Sequence, residues 1–236
     1  MTERSCFTLD GAVVPFDAGE TVIAAAARAG HDIPHLCWDA RLGPSGACRL
    51  CTVRVDGRLA AACTTRAAAG QVVESAAPDL QDRRRALVQM LLAEGNHFCP
   101  GCEKSGDCRL QDAGYALGVT GPGLEAFFPQ HAVDASHPDV WLDFNRCILC
   151  KLCVRASWEV DGKGVFQIGG HGVHTRVVVN SPSGRLADSA LAADDLAANI
   201  CPVGAIGPKR RGYAVPIGQR PVDLREQAAQ EPGEGA

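Results

Sequence analysis

The sequence predicts an α+β chain made of small modules, not one large core. Three observations predict it. First, short apolar runs are punctuated by Asp10-Gly11 and Asp56-Gly57, a dipeptide that favours tight hairpin turns. Second, the stretches from Glu20 to Ala29 and from Pro78 to Glu94 have helical composition or spacing, and each meets a glycine, Gly30 or Gly95. Third, eleven of the twelve cysteines, together with His97, fall into three groups of four, and only Cys6 is left over. A chain of 236 residues accommodates two or three small modules of this kind.

Composition narrows the class. The formal net charge is −4, which argues against nucleic acid and anionic membrane as partners. Aromatic residues make up 5%, too few for a large aromatic core. The thiols recur as C-x2-C pairs, a spacing that suits metal ligation better than disulfides. Met1 to Ser5 show no basic region followed by an apolar one, so no signal peptide is expected. The longest apolar run, Val22 to Ala27, is far too short to cross a bilayer. The expected compartment is a reducing cytoplasm.

Residues 1–78 are expected to form the first module. Phe7, Leu9, Val13, Val14 and Phe16 flank the Asp10-Gly11 turn, and the Ala-rich helix follows and stops at Gly30. Ile33 to Cys51 is a loop with small residues Gly43, Gly46 and Ala47, whose amides can approach sulfur. Thr52 to Val55 is a strand, and Asp56-Gly57 is a second hairpin turn. Hairpin, helix, ligand loop and hairpin is the order of a β-grasp [2Fe–2S] ferredoxin. Cys37, Cys48, Cys51 and Cys63 have the spacing C-x10-C-x2-C-x11-C and supply the four thiolates that such a cluster takes. The first gap is longer than the four residues of the plant type. It resembles the N-terminal domain of the large peripheral subunit of respiratory complex I and its hydrogenase relatives. A zinc site is the alternative, although zinc favours two tight pairs and only one is present. His35 reads as a loop residue.

Residues 79–138 form the second expected module, a small helical segment. Asp79 is a plausible N-cap, Leu80, Leu87, Met90 and Leu91 keep helical spacing, and Arg83-Arg84-Arg85 reads as a solvated face. Gly95 delivers His97, Cys99, Cys102 and Cys108, which Leu110-Gln111-Asp112 follows. This pattern resembles a [4Fe–4S] site with one histidine and three cysteine ligands in complex I large peripheral subunits and iron-only hydrogenases. Their usual spacer between the histidine and the first cysteine is longer; here it is Phe98 alone. The short form, with Glu103-Lys104-Ser105-Gly106 after the pair, resembles the diaphorase-side ferredoxin subunit of cytoplasmic NAD-reducing [NiFe] hydrogenases. If His97 is not the fourth ligand, Cys6 or water is. Tyr115 to Pro138, rich in Gly and Pro, reads as a connector.

Residues 139–212 form the third module, and residues 213–236 an extended tail. Cys147, Cys150 and Cys153 repeat the first three cysteines of a bacterial ferredoxin, whose fourth, followed by Pro, ligates the other cluster. Ser157 stands at that fourth position. Counting back from Cys201-Pro202, the second triplet would fall on Ala197, Asp194 and Leu191. One ligand set therefore survives, Cys147, Cys150, Cys153 and Cys201, for one [4Fe–4S] cluster in a ferredoxin-like frame that has lost its second. A four-thiolate zinc site is the competing reading. Gly164 to Ile168 and Thr175 to Val179 look like a strand pair, with His171 and His174 in the turn between them.

No dinucleotide fingerprint, P-loop or hydrolase motif is present. No catalytic residue is therefore proposed. With 35 residues after Cys201, the large further domain of complex I subunits or of iron-only hydrogenases is not expected. The resemblance, over residues 1 to about 218, implies a non-catalytic electron-transfer subunit with one [2Fe–2S] and two [4Fe–4S] clusters. It implies a partner subunit that binds FMN and NAD, and a hydrogenase small and large subunit holding nickel and iron. A corresponding subunit of an NAD-dependent formate dehydrogenase or a complex I-like NADH dehydrogenase is the alternative. A zinc-stabilised assembly protein is a further one.

Overall fold

The computed structural model describes residues 5–213, 215, 216, 218–220, 223 and 224. The chain divides into two compact units at Leu87/Val88. In the first, β1 (Cys6–Leu9) and β2 (Ala12–Pro15) pair antiparallel through Asp10-Gly11. β3 (Thr52–Val55) and β4 (Arg58–Ala61) do so through Asp56-Gly57. Both turns have positive φ at both central residues, 49° and 87°, then 47° and 79°. That geometry matches strand twist and selects Asp-Gly. β5 (Val72–Glu74) lies between the hairpins, parallel to β1 and antiparallel to β3, and completes the order β2-β1-β5-β3-β4.

α1 (Val22–Arg28) starts at Thr21, whose hydroxyl accepts from the Ala24 amide, and Gly30 follows it at φ 81°. Its Val22, Ile23, Ala25 and Ala26 share one core with Phe7, Leu9, Val14, Val53 and Val73 from the sheet. Each large side chain buried there contributes roughly 1.5–3 kcal/mol. This is the expected β-grasp arrangement.

α2 (Pro78–Glu94) covers the expected stretch, but Asp79 is not its N-cap. Pro78 takes the first helical position, where its missing N–H costs nothing. Asp79 therefore sits inside the first turn and binds Arg54 at 2.9 Å. The buried face also differs from the expected one. It runs Leu80, Arg84, Val88, while Met90 is exposed. Arg84 is thus not part of a solvated basic face. It is 2% exposed and donates to the carbonyls of Leu50, Thr52 and Ser75 and to the Ser75 hydroxyl.

In the second unit α3 (Arg109–Ala116) leads through a long connection to a three-stranded sheet of order β10-β7-β6. Its strands are β6 (Val133–Asp134), β7 (Val140–Asp143) and β10 (Ile206–Pro208). β8 (Phe166–Gly169) pairs antiparallel with β9 (Arg176–Val179), as expected, and His171 and His174 lie in the connecting turn. α4 (Leu152–Glu159) and α5 (Leu196–Asn199) pack together. Asp161 accepts from the first two amides of α5, Leu196 at 3.0 Å and Ala197 at 2.9 Å, and so fixes the element just before Cys201.

Of the positions that a second ferredoxin cluster would use, Asp194 is exposed and the other three are filled with packing. Ser157 is fully buried, its hydroxyl accepts from the Val165 amide and its carbonyl from the Lys163 and Gly164 amides. Ala197 and Leu191 are buried as well. His137 carries no motif in the sequence, yet it is buried. It accepts at Nδ1 from the Asp139 and Val140 amides, and so donates from Nε2 to the Leu191 carbonyl at 3.1 Å. The tail expected for 213–236 lies largely outside the described residues; within it, Arg220 pairs with Asp223 and donates to Ser105 at 3.0 Å.

Candidate metal centres

The first cysteine group sits on the loop after α1 and at the end of β4. Cys37, Cys51 and Cys63 are buried and Cys48 is half-buried. Gly43 and Gly46 adopt φ of 71° and 75° and curl the loop so that its amides face inward. Cys37 sulfur receives the Cys48 amide at 3.3 Å, along with hydrogen bonds from Ala47 and Ser45. Cys63 sulfur receives amides of Ser45 and Gly46. A hydrogen bond from the Cys48 thiol lowers the pKa of Cys37, and one from Cys51 lowers that of Cys63. Their partners are raised by the same pairing and by burial. The four sulfurs thus form two interacting pairs within a nest of donors, a setting that holds negative sulfur. Arg84 secures the loop from behind by binding the carbonyls on both sides of Cys51. His35 is a loop residue as expected: Nδ1 bonds the Ile33 carbonyl at 2.8 Å, and the ring meets Trp38 edge-on.

The second group is wound tightly. Cys99 opens a 3-10 turn, Cys102 follows it and Cys108 is the N-cap residue of α3. Electrostatic interaction links Cys108 to both Cys99 and Cys102. Burial pushes the Cys108 thiol up to about 12 and raises Cys99 as well. Gly106, at φ 89°, turns the chain so that its amide donates to Gln111, which in turn donates to Ser105.

His97 and Cys99 line the same cleft of about 520 Å³, with Leu92, Leu110 and Val119. The His97 ring bonds the Leu91 backbone, whereas Nε2 is buried with no hydrogen-bond partner. The Leu91 bond therefore falls to Nδ1, and Nε2 keeps its lone pair. Burial, then the Arg146 charge, lower the His97 pKa to about 4. A neutral imidazole, oriented through one nitrogen and bare at the other, is the form that binds metal. A Cβ on Gly95 would meet Nε2 at 2.5 Å, so glycine is required there.

The third group winds around an apolar cavity. Cys147, Cys150, Cys153 and Cys201 all line it, with Leu142, Ile148, Val177, Val203 and Ile206. The loop reaches this shape through left-handed conformations at Leu149 and Lys151, φ 52° and 65°. Neither is glycine, and such residues cost of order 1–3 kcal/mol each. Burial pushes the Cys147 thiol up to about 11 and Cys153 well above its ordinary value.

The segments that carry the second and third groups touch. The Arg109 amide donates to the Pro202 carbonyl at 2.9 Å, and a Cβ on Gly204 would lie 2.8 Å from Cys102 sulfur. Among the described residues, no three His, Cys, Asp or Glu side chains are arranged to hold a single metal ion. A cluster does not require that arrangement, since its ligands are distributed over several irons. Soft thiolates, one bare imidazole nitrogen, and buried thiols whose ionisation needs a nearby cation suit iron–sulfur clusters.

Three family descriptions match successive stretches: a 2Fe-2S iron-sulfur cluster binding domain over residues 4–78, the NADH-ubiquinone oxidoreductase-G iron-sulfur binding region over 84–122, and a 4Fe-4S single cluster domain over 140–207. The gamma subunit of the NAD-reducing hydrogenase HoxS of Cupriavidus necator is 39% identical over 92% of this chain and 93% of its own length. This chain belongs to that family. A chain of a solved NAD+-reducing [NiFe]-hydrogenase in the H2-reduced state is similar to it with TM-score 0.88 and 54% identity, over 94% of both. The mitochondrial 78 kDa NADH-ubiquinone oxidoreductase subunit of Candida albicans is 32% identical over 92% of this chain, which spans only 30% of that longer protein. The family places one [2Fe–2S] and further [4Fe–4S] centres on the fold described here. Among the described residues, no helix is long and apolar enough to cross a membrane.

Proposed function

We propose that this gamma-family chain is a non-catalytic electron relay of a cytoplasmic NAD-reducing hydrogenase. It would work between a flavin subunit that binds FMN and NAD and a subunit pair that activates H2. Cys37, Cys48, Cys51 and Cys63 would hold the [2Fe–2S] cluster. His97, Cys99, Cys102 and Cys108 would hold one [4Fe–4S] cluster, and Cys147, Cys150, Cys153 and Cys201 the other. When bound, the clusters supply one-electron redox chemistry. The chain's own residues fix their spacing, exclude water and direct hydrogen bonds at sulfur. The observation that carries the reading is the contact between the segments bearing the second and third groups, where the Arg109 amide donates to the Pro202 carbonyl and Gly204 lies beside Cys102 sulfur. A relay needs neighbouring centres at close approach; isolated structural metals do not.

The complex I-like reading shares the same relay and differs in the terminal substrate. The 54% identity to a chain of the hydrogenase favours the hydrogenase assignment. The test is reconstitution. Hydride transfer to NAD+ needs a two-electron carrier, and no dinucleotide fingerprint is present to hold one. The purified, flavin-free chain should reduce neither NAD+ nor, with NADH, a dye. Adding the flavin subunit should give NADH-dependent dye reduction, and adding the hydrogenase pair should make the reduction H2-dependent. NADH turnover by the chain alone would contradict the proposal.

A further inference from the structure

Arg146 closes the short 3-10 turn before Cys147, yet its side chain reaches the other cluster-binding segment. Nη1 donates to Cys102 sulfur at 3.5 Å, to Glu103 at 2.9 Å and to the Gly204 carbonyl at 3.5 Å. Nε pairs with Asp143 at 3.0 Å, and the guanidinium lies 5.3 Å from the centre of the Trp141 ring. The side chain is 22% exposed, against 53% for Glu103 and 10% for Asp143. Arg146 also acts electrostatically on His97. One guanidinium thus bears on two ligands proposed for the middle cluster and on the loop that carries Cys201.

We propose that Arg146 is a tuning and positioning residue: it raises the reduction potential of the middle [4Fe–4S] cluster and clamps the Cys102 edge against the Cys201 loop. The proposal rests on the ligand assignment above. Reduction adds one electron and one negative charge to the cluster side. A cation within hydrogen-bond reach of a ligand sulfur stabilises the more negative state, and does so more strongly where water is scarce. Glu103 and Asp143 hold the guanidinium fork in place. Without Arg146 they would leave two carboxylates without their cation, so losing the positive charge and uncovering these negative ones push the potential in one direction. Lysine keeps the charge but is a compact ammonium that cannot serve all these partners at once. Removing Glu103 should act in the opposite sense, and less, because its exposed charge is screened.

The test uses the full chain, purified anaerobically, with iron counted and each cluster titrated by potential and followed by EPR. Arg146→Gln should lower the midpoint of the middle cluster by at least a tenfold change in its reduction equilibrium, about 59 mV for one electron. The C-terminal cluster should move less, and Arg146→Lys should fall between. Glu103→Gln should raise the middle midpoint. An unchanged midpoint in Arg146→Gln with full iron, or an equal fall in both [4Fe–4S] clusters, would overturn the proposal. If Arg146→Gln loses iron, Glu103→Gln decides alone: a rise supports the proposal and no rise overturns it. A wild-type chain without two [4Fe–4S] signals would instead defeat the ligand assignment, which is a separate outcome.

Discussion

Two single residues carry more than their positions in the sequence suggest. Arg84 sits in a run of three arginines, and a run like that on a helix is usually solvated. Its burial depends on the Ser75 turn and the Leu50–Thr52 backbone arriving at the same place, which only the tertiary fold decides. Arg84→Met would leave three carbonyls without their donor. The expected cost is roughly 3 kcal/mol, read as a lower denaturant midpoint for bleaching of the [2Fe–2S] absorption, with the [4Fe–4S] signals retained. Bleaching at the wild-type midpoint would contradict the account. His97 stood out as a candidate because three cysteines beside it lacked a fourth partner; its bare Nε2 could not be read from the sequence, because that required the Leu91 carbonyl to occupy the other nitrogen. His97→Cys would replace the proposed neutral ligand by an anionic one. If the cluster assembles, its potential should fall, the reverse of the rise that histidine ligation gives Rieske centres. An unchanged potential in the EPR titration would remove His97 from the ligand set.

At the scale of elements, the hairpins and strands could be read directly. Asp10-Gly11 and Asp56-Gly57 demanded positive φ, and the structure supplies it. α2 was legible as a helix but not in its buried face, since Val88 and Arg84 replaced the expected Met90. The α5 segment gave no sequence signal. Four residues cannot form a helix on propensity alone, and its cap comes from Asp161, far away in sequence. Asp161→Ala should cost about 1 kcal/mol and loosen the approach to Cys201. The measurement is the rate at which a chelator removes iron, with the C-terminal [4Fe–4S] signal expected to decay fastest. Equal decay of all signals would show that Asp161 has no special hold on this centre.

At the scale of the whole molecule, each unit places cysteines on irregular loops braced by regular elements. The first loop buries Ile33, Leu36 and Leu50, whereas left-handed Leu149 and Lys151 cost energy in the third. Ligand binding to deprotonated thiols offsets such costs in metal-dependent modules. The centres and the frame should therefore be lost together, as they are in other small metal-bound folds. The central claim is that three ligand groups hold three clusters. Anaerobic iron and acid-labile sulfide analysis of the purified full chain tests it most directly. The account predicts about ten iron atoms per chain, two, four and four, with matching sulfide and no stoichiometric zinc. A count near six, or zinc bound at one equivalent per chain, would contradict it.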